Sequence, residues 1–348
     1  MLDFSALSSQ EDISTRFEAV ARELLCNSVL TVVRDGTRTD LEILELEFYL
    51  QKSRCHEDPF THGSKEQEWS GQWYFHRLPC RADRTQPGLP VTAAGEYRSG
   101  SRKGLDLTIG GPLRSSNACT DPSSEPTGPV TVRGGVLLRT IRRRTDKTII
   151  SGPSLLVDEI LRLSGASSVD ELVETLWKND ISALEEPCAT SAPRTTYMYL
   201  HKAKSATLSF GPPQVFCSPR VGLDLSNPET KNHISHPRVI FVGKLYRFFT
   251  YPKLLTTKGR VQTFVGLYTK IVESKGRSYA EDTVKMKMEL SRLMGLKDQN
   301  VTKYLEDYRA GYQTGELKSF VGSAGKGVCQ STTGYLRMMG TLHKALKL

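Results

Sequence analysis

The sequence predicts an α+β protein. A curved antiparallel β-sheet, or partial barrel, with flanking helices occupies residues 1–252, and an all-α, basic domain occupies 255–348. Three observations predict this. Two strand-like runs flank Asp35-Gly36, a hairpin turn signal. Further short apolar runs recur as far as Phe249, with helical patterns between them. After Lys253 the strand signals stop and helical spacing takes over.

In chain order, Ile13, Phe17, Val20, Ala21, Leu24 and Leu25 recur at spacings of three and four, which predicts a helix over 12–26. The hairpin SVLTVVRDGTRTDLEILELEFYL follows. Strands are expected at QWYFHR (72–77), GLDLTIG (104–110) and GGVLLRTI (134–141). GPLRSSNACTDPSSEPTGP (111–129) reads as a surface loop. GPSLLVDEILRLSG (152–165) has Pro near its first turn and Gly at its end, and SVDELVETLW (168–177) offers Ser168 as a cap, so both read as helices. A loop is expected at 185–196, then strands at TLSF (207–210), FCSPRVGLDL (216–225) and RVIFVGKLYRFF (238–249). Four helical stretches complete the chain: VQTFVGLYTKIVES, AEDTVKMKMELSRLMG, VTKYLEDYRAG and TGYLRMMGTLHKALKL.

The 348 residues carry a net charge of +9, and residues 255–348 hold 16 Lys and Arg against 8 Asp and Glu. A positive potential gathered at one end suits a polyanion partner, although a solvated basic helical region has the same composition. No run reaches the ~20 apolar residues of a membrane helix. The opening MLDFSALSSQED lacks the basic and apolar regions of a signal peptide, so no membrane partner is expected. Seven scattered cysteines without a C-x-x-C pair point to reduced thiols in the nucleus or cytoplasm. Cys55-His56-Glu57-Asp58 has metal-capable side chains but no second cluster at ligand spacing. GSAGKG (322–327) misses the spacing of a phosphate loop. No metal, nucleotide or other cofactor is expected.

The chemistry concentrates in LELEFYLQKSRCHEDPFTHG (44–63). On a strand, Leu44, Leu46 and Phe48 share one face, and Glu45, Glu47 and Tyr49 share the other. On a central strand, an ionised Glu47 needs a partner. Arg139 in GGVLLRTI is the candidate, because that apolar run carries no other charge until Arg142. Such a carboxylate with a bound water is a general base. A purely structural Glu–Arg pair, or an edge strand with Glu47 in solvent, fits the same periodicity.

LELEFYLQ followed by D-x-x-x-H (Asp58 to His62) resembles the signature of the alkyladenine, or methylpurine, DNA glycosylases. Other segments resemble that family in the same order: VARELLCNSVLTVVRDGTRTDLEILELEFYL, GQWYFHR, GGVLLRTIRR, ISGPSLLVDEIL, PRVGLDL and RVIFVGKLYRFF. The resemblance covers about residues 15 to 252. It implies a DNA N-glycosylase of base excision repair that flips a modified purine out of DNA. Glu47 would activate the attacking water and Arg139 would help hold it. Tyr49, His62 and His76 would form the pocket for the base, with His76 where the family has a tyrosine. Asp106 stands near a family asparagine that screens bases.

The chemistry is coherent by itself. Breaking an N-glycosidic bond needs water at the anomeric carbon and charge opposite an oxocarbenium-like transition state, and one carboxylate serves both. An alkylated, cationic purine leaves readily, and aromatic and imidazole rings stack on it. No lysine neighbours Glu47 in sequence, which favours direct hydrolysis over a Schiff-base reaction.

The chain departs from the family after His62, where HGSKEQEWSG replaces a Thr-x-Arg-Asn segment. It also departs at the Tyr-Gly-Met wedge hairpin, where GEYRSGSRKG (95–104) stands. There Tyr97 or Arg98 is the candidate wedge, and Arg102 and Lys103 are candidate phosphate contacts. Without a wedge, flipping from a duplex costs a few kcal/mol with no filler to offset it. Single-stranded DNA, RNA or nucleosides then become the expected partners, and a non-catalytic nucleic-acid-binding scaffold is the remaining alternative. ELSRLMGLKDQNVTKYLEDY (289–308) has helix-turn-helix spacing that would offer Lys297, Gln299, Asn300, Thr302 and Lys303 to a groove. A plain helical hairpin looks alike.

Overall fold

The computed structural model describes residues 1–62, 64–78, 95–113, 132–184, 195–203, 213–255 and 258–347. The elements, in order, are α1 (Gln10–Arg22), β1 (Ser28–Arg34), β2 (Thr37–Lys52), β3 (His56–Glu57), β4 (Trp73–Phe75), β5 (Leu105–Ile109), β6 (Val132–Arg143), β7 (Ile149–Ser151), α2 (Pro153–Ser164), β8 (Thr196–Lys202), β9 (Phe216–Ser218), α3 (Pro237–Val242), β10 (Arg247–Phe249), α4 (Arg260–Lys275), α5 (Arg277–Glu281), α6 (Thr283–Met294), α7 (Asp298–Thr314) and α8 (Thr332–Leu346). An antiparallel sheet of many strands with helices, and a helical C-terminal region, make the fold α+β. The packing divides the chain into two compact units.

The first unit comprises Met1–Leu7, Cys26–Leu46 and Gly63–Phe210. Its strands run in the order β4-β5-β6-β2-β1-β8, with β7 on β6. The hairpin turn puts Asp35 at φ 48° and Gly36 at φ 78°. Two positive φ values in succession are the type I′ geometry that matches strand twist, so the Asp-Gly signal acts as expected. Leu30, Val32 and Leu41 lie buried on this hairpin. α2 packs on β1, β5, β6 and β7 through Leu156, Val157, Ile160 and Leu161. Pro153 opens it, and Gly165 in the left-handed region (φ 71°) closes it. The expected strand at 207–210 lies outside the described residues, as do most of the loops expected at 111–129 and 185–196.

The second unit comprises Ser8–Leu25, Glu47–His62 and Gly211–Leu348. Ser9 Oγ accepts from Asp12 N at 3.0 Å and starts α1. The helix expected to reach Cys26 does so, but α1 ends at Arg22 and the last turn, Glu23–Asn27, is a wider π helix. β2 pairs with β3 and β10, and β10 with β9.

Two expected strands are shorter here. Of 216–225 only β9 is extended, because Pro219 brings no N–H to a ladder and the chain then turns through Gly222 at φ 82°. The first half of 238–249 is the helix α3. The His236 side chain accepts from Arg238 N at 3.2 Å, Pro237 stands at the first turn, and Gly243 ends it. These local signals outweigh the strand preference of Val239 and Ile240.

Phe216, Leu225, Val239, Val242 and Phe249 share one core with Phe264, Leu290, Leu305, Tyr335 and Met338. The division of packing therefore does not fall between 252 and 255. Periodicity marks a change of element type; it does not say which residues bury one another. Among the described residues no helix is long and apolar enough to cross a membrane. Cys55, Cys217 and Cys329 are free thiols.

Candidate active site

Phe48 sets the orientation of the carboxylate strand in the second unit. Its ring stacks on Phe17 at 4.4 Å and meets Phe248 edge-on at 5.5 Å. Alternation then turns Glu47 and Tyr49 to the opposite face. Glu47 is fully buried. Its Oε1 accepts from Val221 N at 2.7 Å, and its Oε2 accepts from the Tyr49 hydroxyl at 2.8 Å.

Beneath Tyr49 lies Arg220, also fully buried, with its guanidinium 4.5 Å from the ring centroid. Arg220 Nη1 donates to the Phe48 carbonyl at 3.0 Å and to Asp58 Oδ2 at 2.5 Å, and Nη2 donates to Asp58 Oδ1 at 3.2 Å. Burial, the largest single influence, lowers its pKa; Asp58, Tyr49 and Glu47 together outweigh that and raise it. Asp58 also caps the turn that leads to His62, since Phe60 N donates to its Oδ1 at 3.1 Å. His62 itself is exposed. His56 is buried behind this site: its Nδ1–H donates to Leu50 O at 2.8 Å and its Nε2 accepts from Tyr246 Oη at 2.9 Å. Burial lowers its pKa.

Arg139, His76, Asp106, Tyr97, Arg98, Arg102 and Lys103 belong to the first unit. Asp106 registers with Tyr74 on β4 and with Leu137 on β6, so Tyr74, Asp106 and Arg139 share one face. His76 Nε2 lies 2.9 Å from Asp106 Oδ1, and Gln67 Nε2 donates to Oδ2 at 3.1 Å. Gly104 and Gly135 make room for this cluster: a Cβ at either position would come within 2.6 Å of His76 or Asp106. Arg139 Nε donates to Glu45 Oε1 at 2.9 Å, and Thr140 Oγ1 donates to the other oxygen of the same carboxylate. The carboxylate described against Arg139 is thus Glu45, two residues before the expected Glu47.

Tyr97, the candidate wedge, folds inward. Arg77 lies 3.9 Å over its ring and donates to its hydroxyl at 2.7 Å. Arg98 Nε donates to Arg77 O at 2.9 Å. Lys103 pairs with Asp158, and Arg102 is exposed. In the second unit, α6 ends at Gly295 (φ 65°) and α7 starts after Lys297; Lys297, Gln299, Asn300 and Lys303 are exposed, while Val301 and Leu305 are buried. Among the described residues no cluster of His, Cys, Asp and Glu could hold a metal ion.

Sequence reasoning missed Arg220, Val221 and Gln67. PRVG carries Arg220 in a segment read as strand, where an arginine ordinarily faces solvent. The signal available was Asp58 in D-x-x-x-H, a second carboxylate close to the first.

No family model matches the chain. Over 154 residues, 43% of the chain, it is 31% identical to an uncharacterized protein of Acanthamoeba polyphaga mimivirus. The match spans 61% of that viral protein.

Proposed function

We propose that the chain is a monofunctional DNA N-glycosylase that hydrolyses the N-glycosidic bond of alkylated purines, as in base excision repair. One observation carries this reading: a fully buried carboxylate, Glu47, gripped at both oxygens by the Val221 N–H and the Tyr49 hydroxyl. Each oxygen of the carboxylate thus accepts from a fixed donor. They hold it in one orientation, as a base that takes a proton from water requires. Its charge then opposes the oxocarbenium-like transition state. Tyr49 and His62 serve the flipped base.

A second reading concerns the substrate. Tyr97 is occupied by Arg77, and Lys103 by Asp158. This favours single-stranded DNA, RNA or nucleosides, which need no wedge. The place of action is the nucleus or the cytoplasm.

The test incubates purified protein with alkylated duplex DNA, the same strand unpaired, alkylated RNA and free nucleosides, and measures released base. Release from any substrate, abolished by Glu47→Gln, is the expected result, and the preferred substrate decides between the two readings. No release from any of them, with nucleic-acid binding unchanged in Glu47→Gln, would leave a non-catalytic binding scaffold.

A further inference from the structure

We infer that Arg220, locked by Asp58, is the positioning residue of the Glu47 site and that this pair is retained for geometry rather than for stability. The inference rests on the reading of Glu47 as a catalytic base. One guanidinium acts on that carboxylate by three routes. Its Nη1 fixes the Phe48 carbonyl at 3.0 Å, which belongs to the residue between Glu47 and Tyr49. Its face lies 4.5 Å from the Tyr49 ring centroid and so sets the hydroxyl that donates to Oε2. The next residue in the chain, Val221, supplies the N–H on Oε1. Holding Arg220 therefore holds the Tyr49 and Val221 donors of Glu47 and the strand beneath it.

Asp58 adds a fourth link. It accepts from both terminal nitrogens of Arg220 and caps the Phe60 turn that carries His62. This gives D-x-x-x-H a physical meaning: its acid ties the histidine's turn to the carboxylate's strand through one arginine. Phe60 extends the stack, with Arg220 at 5.5 Å and Arg238 at 5.0 Å from its ring centroid. A single cation in several simultaneous contacts is a stiff support, and catalytic groups need placement within about 0.5 Å.

A buried ion pair is weak evidence of a stability role, because apolar replacement of both partners is often neutral or stabilising. That separates positioning from structure. The double variant Asp58→Leu/Arg220→Met is expected to keep its unfolding midpoint near that of the wild type. Its kcat for base release should fall about 100-fold, with KM changed less than about threefold. Arg220→Lys, which keeps the charge but not the planar fork, should recover part of the rate. A second readout needs no activity: amide hydrogen exchange at Val221 should be slow in the wild type and fast in the double variant, with the other core amides unchanged. If the double variant folds and releases base within twofold of the wild-type rate, or if Val221 stays protected in it, the positioning role is overturned. If the wild type releases no base but Val221 loses protection as expected, the reading of the chain as a glycosylase fails and the Arg220 clamp on Glu47 stands.

Discussion

The Tyr49 hydroxyl donates to Glu47 Oε2 at 2.8 Å from two residues along the same strand. Alternation puts both side chains on one face, so the contact is local, while the phenol ring is held from below by Arg220. Tyr49→Phe removes only the hydroxyl. It should slow base release about tenfold and change stability by roughly 1 kcal/mol, one hydrogen bond's worth. Tyr49→Ala also removes the ring from the guanidinium and should slow release further. Single-turnover rates with matched thermal melts check both.

Glu47→Gln keeps the shape and one acceptor but cannot take a proton. Release should drop by about 10² to 10⁴. Affinity for the uncleaved substrate strand and for the abasic product strand should stay within a few fold, read by fluorescence anisotropy.

Glu45 and Arg139 form a buried pair in the first unit, with side chains 1% and 6% exposed. Removing one partner takes the buried counter-ion from the other, so Glu45→Leu or Arg139→Met should each cost about 3–5 kcal/mol. The double replacement should cost much less. Denaturant titrations of the three variants measure the coupling.

His343 is buried in α8, where its Nδ1 accepts from the Tyr308 hydroxyl at 2.7 Å, and burial lowers its pKa to about 4. An imidazole whose folded pKa lies below its unfolded value resists the proton only in the native state. Its contribution is complete above the unfolded value near 6.5 and is lost as pH falls towards 4. The loss should reach roughly 3 kcal/mol at pH 4. His56, whose pKa burial also lowers, acts in the same direction. Unfolding free energies between pH 7 and pH 4 should decline, and His343→Gln should flatten the decline.

Helices α7 and α8 touch backbone to backbone. A Cβ on Gly311 would sit 2.0 Å from Arg337 O, and one on Gly340 2.1 Å from Tyr308 O. Carbonyls of a packed helix cannot rotate aside, so Gly311→Ala or Gly340→Ala should destabilise the second unit by about 1–3 kcal/mol or more. A lowered unfolding midpoint measures it. Replacing exposed Lys297 and Lys303 by Ala should leave stability unchanged. If they meet phosphates, it should also reduce the slope of DNA affinity against salt by about one or two units.

The hairpin at Asp35-Gly36, the helix α2 with its Pro and Gly ends, and the sided strand LELEFY were legible because each is governed by local rules: turn chemistry, capping and a period of two. The helix α3 was not, since Val239 and Ile240 suggested a strand until His236 and Pro237 are given their weight. Lys297 and Lys303 were expected on the surface and are exposed there.

The sequence by itself determined that Glu47 and Tyr49 share a face and that the chain is an α+β protein with a helical C-terminal region, because alternation and helical spacing are properties of neighbouring residues. Only the tertiary structure decided that Arg220 clamps Asp58, that Val221 reaches Glu47 and that Arg139 meets Glu45. Those partners stand 94 to 174 positions apart, and a charged side chain finds its counter-ion through burial, which no local pattern encodes.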